Sequence, residues 1–163
     1  MLRNSILAAT LALTAGAASA DTIFTVANTF QDPTMTGGAE ISTIAFSAEV
    51  YANQAATVGA NVEIANFVNF YEIDVAKDMS TLTMTVSDTA RPANNPMPAD
   101  RFDRYYFTFT GAGPAAATID ADASTAAIAG GASVTVTTTG RLVVAFGEGA
   151  DFTAGNKVVI NLN

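Results

Sequence analysis

The chain has 163 residues, seven Lys and Arg against fifteen Asp and Glu, a formal charge of −8, and no His, Cys or Trp. Without His or Cys there is no Ser-His-Asp triad, no Cys-His pair and no His- or Cys-ligated transition metal, and the commonest general base is missing. So acidic a chain also repels phosphate backbones and anionic lipid, which argues against nucleic acid and membrane surfaces as partners.

The first twenty residues have the pattern of an export signal. Arg3 supplies the positive start, Ile6 to Ala15 the apolar stretch, and Ala18-Ser19-Ala20 the small-residue cleavage pattern before Asp21. That stretch is shorter than the roughly 20 apolar residues of a membrane span, and no later segment reaches such a length. The expected product is therefore residues 21–163, secreted to a bacterial periplasm or the cell exterior as a single domain. Loss of Arg3 makes it one charge more negative. Export permits disulfides, but with no Cys the fold rests on packing and strand pairing alone.

Asp21 to Phe30 (DTIFTVANTF) alternates, with Phe24, Val26 and Phe30 on one side, and predicts a first strand. These three side chains suit the chain's own core, or the pockets of a neighbour's sheet edge if the strand is exchanged between copies. Asp32-Pro33 and Gly37-Gly38 break the strand. Glu40 to Val50 fits strand and helix periods alike. The absence of a cap and the β-like neighbours favour the strand. Tyr51 to Asn61 predicts a loop or one short helix, and Val62 to Asn66 a short strand.

Asn69 to Val86 (NFYEIDVAKDMSTLTMTV) predicts the hairpin around which the fold is organised. Tyr71, Ile73 and Val75 alternate with Glu72 and Asp74, and Leu82, Met84 and Val86 alternate with Thr81, Thr83 and Thr85. Ala76 to Ser80 is short and polar enough to be the turn. A sheet with one apolar face requires a second layer, here a second sheet. Ser87 to Arg101 has no period and holds three of the five prolines. A loop of this length is expected to be mobile, the first segment cut by protease and a contact surface.

Arg104 to Thr110 predicts a strand with Tyr105, Phe107 and Phe109 inward and Arg104, Tyr106 and Thr108 outward. Thr118 to Ala121 predicts an edge strand within a small-residue segment. Val134 and Val136, then Leu142, Val144 and Phe146, flank a Thr139-Gly140 turn. Val158, Ile160 and Leu162 mark the last strand. About eight to ten strands at hairpin spacing predict an all-β, antiparallel β-sandwich or jelly roll.

FYEIDVAKDMSTLTMTVSD, then DRYYFTFTGAG and the closing NKVVINLN, resemble the secreted bacterial β-sandwich domains of the pre-peptidase C-terminal type. That family's paired Asp-Leu-Asp-Leu strand has no counterpart here. The resemblance implies a non-catalytic extracellular sandwich, sometimes with calcium, and carries over no functional residue.

The remaining chemistry is oxygen chemistry. Glu72 and Asp74 project from one strand face roughly 7 Å apart, a separation found in glycosidase carboxylate pairs. On an open face, however, nothing raises a carboxyl pKa, and a solvated surface is the simpler reading. Ser80 near Lys77 reads as a solvated turn. Asp120, Asp122 and Ser124 start like a calcium loop, but Thr125 and Gly131 occupy the positions needing Gly and an acid, which excludes an EF-hand. Calcium, if bound, would use Asp88, Asp100 and Asp103 around the proline-rich loop, or Glu148 and Asp151. Arg104 and Tyr106 form a small outward platform for a glycan or other ligand, unless a loop or subunit covers it. The reading is a non-catalytic structural, surface or interaction module whose partners are protein subunits or copies of itself. The alternative is a glycan- or small-ligand-binding module, with or without calcium.

Overall fold

The structure, a computed structural model, describes residues 22–31, 54–59, 61–88, 95–99, 101–111 and 113–163. Among these residues, ten strands form two five-stranded antiparallel sheets. The first contains β1 (Ile23–Gln31), β2 (Gln54–Thr57), β6 (Phe102–Phe109), β8 (Ala132–Val136) and β9 (Leu142–Phe146), ordered β2-β1-β6-β9-β8. The second contains β3 (Ile64–Phe67), β4 (Tyr71–Val75), β5 (Thr81–Val86), β7 (Ala117–Ile119) and β10 (Lys157–Leu162), ordered β3-β4-β5-β10-β7. The all-β sandwich expected from the alternating segments is the fold. Among the described residues no helix is long and apolar enough to cross a membrane.

The hairpin forms as its alternation dictates. Tyr71 pairs with Val86, Ile73 with Met84 and Val75 with Leu82, and all six are buried. Tyr105, Phe107 and Phe109 of β6 also point inward, with Leu142, Val144 and Phe146 of β9 beside them. The two apolar faces meet in an aromatic centre. Tyr71 lies edge-on to Tyr105 with centroids 5.0 Å apart and stacks on Phe146 at 5.6 Å. Phe152, from the loop before β10, closes this cluster edge-on to Phe146. Such offset and edge-on pairs add stability beyond the area they bury.

Three segments differ from expectation. Residues 54–57 form a strand rather than a loop or helix, because the edge of β1 supplies hydrogen-bonding partners that outweigh the helix preference of Ala55 and Ala56. A single helical turn, α1 (Ala126–Ala129), lies before β8 and buries Ile128. The proline-rich segment is described at 95–99, and there it is anchored. Met97 is buried, its N–H donates to the Ala150 carbonyl at 2.9 Å, and the Gly149 N–H donates to the Met97 carbonyl at 2.8 Å. Residues 89–94 and Asp100 lie outside the described residues, as do the export pattern and the expected strand at 40–50.

Gly131 is a test of this packing. A Cβ there would lie 2.3 Å from the Ala150 nitrogen and 2.7 Å from its Cα, so backbone has to move. Gly131→Ala is expected to lower stability by about 1–3 kcal/mol, the usual cost of overpacking. A urea midpoint equal to that of the native protein would contradict this approach of the α1–β8 corner to the 147–155 loop.

Candidate functional site

Strand alternation sorts the charged residues between the two outer faces. β1, β2, β6, β8 and β9 contain one carboxylate between them, Asp103, and it points inward. The outward side of β6 presents Phe102, Arg104, Tyr106 and Thr108. Across the sheet Ala27, Tyr106, Val143 and Thr135 form one row, and Arg104, Ala145 and Ser133 the next. The Arg104 guanidinium lies 5.4 Å from the Phe102 ring centroid, and that of Arg141, just before β9, lies 5.9 Å from the Tyr106 ring. The expected pair of Arg104 and Tyr106 is thus half of a four-residue stripe of alternating rings and cations. Its outer face is not the one covered by the second sheet. Arg141 was not foreseen, because its place over Tyr106 depends on the β6–β9 register.

The outer face of the second sheet has the opposite character. β4 carries Glu72 and Asp74, Glu63 stands just before β3, and Asp120 just after β7, against Lys157 on β10. Asp74 has a raised pKa, through partial burial first and then the charge and hydrogen bond of Glu63. This corrects the view of an unperturbed pair with Glu72. The working partner is Glu63, whose own carboxylate accepts from the Gly59 N–H at 2.8 Å and the Val75 N–H at 2.6 Å.

Asp103, expected among loop calcium ligands, lies inside the sandwich. Asn28 of β1 donates an amide N–H to one carboxylate oxygen, and the Tyr105 hydroxyl donates to the other at 2.5 Å. Burial raises its pKa to about 6, although both hydrogen bonds oppose the rise. The fully buried Tyr71 hydroxyl belongs to the same cluster, its pKa pushed well up by burial and then by the Asp103 charge. The signal for this cluster was present in the sequence. Asn28 occupies the apolar column of Phe24 and Val26, and Asp103 that of Tyr105, Phe107 and Phe109.

The other acidic candidates are dispersed. Asp88 and Glu148 are exposed. Asp151 accepts from the Thr153 hydroxyl at 2.7 Å, the Thr153 N–H at 2.9 Å and the Asn95 amide at 2.9 Å, which lower its pKa and tie the 95–99 segment down. Asp120 caps its own turn through the Asp122 and Ala123 N–H groups. The Ser80 hydroxyl donates to Asp78 at 2.6 Å, not to Lys77. Among the described residues no three His, Cys, Asp or Glu gather to hold a metal. Phe24 and Val26 fill the chain's own core, with β1 hydrogen-bonded between β2 and β6. The Phe30 side chain lies outside the described residues. No protein-family model, curated protein or solved structure matches the chain.

Proposed function

We propose that the chain is an exported, non-catalytic interaction module whose working surface is the outer face of the first sheet. The observation that carries this reading is the stripe Phe102, Arg104, Tyr106 and Arg141 on strands with no outward carboxylate. A guanidinium laid on a ring keeps its in-plane N–H groups for an acceptor while the ring strips water from it. Arg and Tyr are also the residues most enriched in interface centres. The fit is to an anionic partner, not a neutral sugar, since each ring on which a sugar would stack already carries a guanidinium. Asp103 supports the non-catalytic part. Its raised pKa belongs to a carboxyl enclosed by core aromatics, with both oxygens engaged.

Heparin, a sulfated polysaccharide, serves as an anionic probe. Despite its net negative charge, residues 21–163 should be retained on a heparin column at low salt and released as salt screens the contact. Arg104→Ala combined with Arg141→Ala, its fold checked by circular dichroism, should pass straight through. Flow-through of the native protein, or equal retention of the variant, overturns the reading.

A further inference from the structure

Among the described residues, the two outer faces of the sandwich are opposite in sign. One presents Arg104 and Arg141 with no carboxylate on its strands, and the other presents Glu63, Glu72 and Asp74. From this complementarity we infer that the partner is a second copy of this chain, the first-sheet face of one molecule seated on the second-sheet face of the next. The inference rests on the interaction face assigned above and names its occupant.

Three features favour this occupant. The Glu63 carboxylate, accepting from the Val75 N–H, stands beside Asp74 so that the two acids repel, and the row they share, running on through Thr83 to Val159, contains no basic residue. Lys157 stands in the neighbouring row, beyond Thr85 from Glu72. A guanidinium arriving from another molecule relieves that repulsion. Around the charges both faces are flat and hydroxyl-bearing, with Thr25, Thr108 and Thr135 on one and Thr81, Thr83 and Thr85 on the other, so sheets can approach to the ordinary spacing of roughly 10 Å. The two surfaces are also different, so the contact is heterologous. Repeated, it gives open stacks and not a closed dimer. Five strands about 4.8 Å apart and about five residues long cover roughly 400 Å² per partner, at the weak end of specific interfaces. Assembly is therefore concentration-dependent and salt-sensitive.

Sedimentation velocity of residues 21–163 across the micromolar to millimolar range tests this. At low salt the average mass should climb past that of a dimer without a plateau, and it should fall back in high salt. Arg104→Glu with Arg141→Glu, and separately Glu72→Lys with Asp74→Lys, should each stay monomeric, folded by circular dichroism. Mixing the two variants should restore association, because each retains the face the other has lost. A native protein that stays monomeric throughout, stops at a dimer, or gives variants that do not associate on mixing overturns the stacking. If heparin retention survives in a strictly monomeric protein, the interaction face stands and only the self-partner fails.

Discussion

Met84→Asp is expected to leave no folded protein at room temperature, whereas Thr83→Asp, one residue away, should retain a cooperative melt. Met84 is fully buried between Ile73 and Val158 in the row crossing β4, β5 and β10. An unpaired carboxylate there costs several kcal/mol of desolvation, and the lost methionine packing adds about 2–5 kcal/mol. The sum is comparable to the roughly 5–15 kcal/mol that holds a domain together. Thr83 faces outward, directly across from Asp74. A carboxylate there meets like charge, at about 0.2–1 kcal/mol for such a cross-strand pair. Urea melts of the two variants decide the matter, and equal midpoints would mean that the hairpin faces are reversed or both covered.

Asp103→Asn is expected to stabilise the protein above pH 6 and to flatten its pH profile. The folded pKa of about 6 lies above the ordinary 3.8, so the native state binds this proton more tightly than the unfolded chain does. Well below pH 3.8, both states are protonated and the group costs nothing. As pH rises through 6 the native state must carry a buried charge, a loss of roughly 3 kcal/mol at about 1.4 kcal/mol per pKa unit. Asn keeps an oxygen to accept a hydrogen bond and removes the charge. Asp74, also raised, leaves a shallow slope of the same sign in the variant. Asp78 and Asp151 are lowered, so what they contribute is present above the ordinary carboxylate range and lost as pH falls below it. Urea midpoints between pH 4 and 8 should fall with rising pH in the native protein and stay nearly level in Asp103→Asn. Equal slopes would remove Asp103 as the cause.

What the sequence disclosed was whatever depends on a period of two. The inward sets Tyr71, Ile73, Val75 and Leu82, Met84, Val86 follow from alternation alone, as do the opposite directions of Tyr105 and Tyr106. Features that depend on register between distant strands were hidden. β2 is a strand because β1 lies beside it, and Arg141 reaches Tyr106 because Val143 pairs with that tyrosine. Glu63 meets Asp74 across the bulged β3–β4 pairing, while the eye is drawn to Glu72 on the same strand. Asp103 was misjudged for a different reason. A carboxylate in an apolar column looks like the end of a strand until Asn28 and Tyr105 are seen to satisfy it.

Among the described residues, the first and last strands are both interior strands, β1 between β2 and β6 and β10 between β5 and β7. Contacts from β1 to the β6 side join residues 71 to 87 positions apart, and β10 reaches back to β5 across a similar separation. Each sheet is thus completed by a loop closure whose entropy must be met before the contact rewards it, so folding is slow and finishes only when distant parts of the chain are present together. A strand that emerges early from the ribosome waits for β6. For a chain exported as proposed above, such a delay favours crossing the membrane before the sheets close.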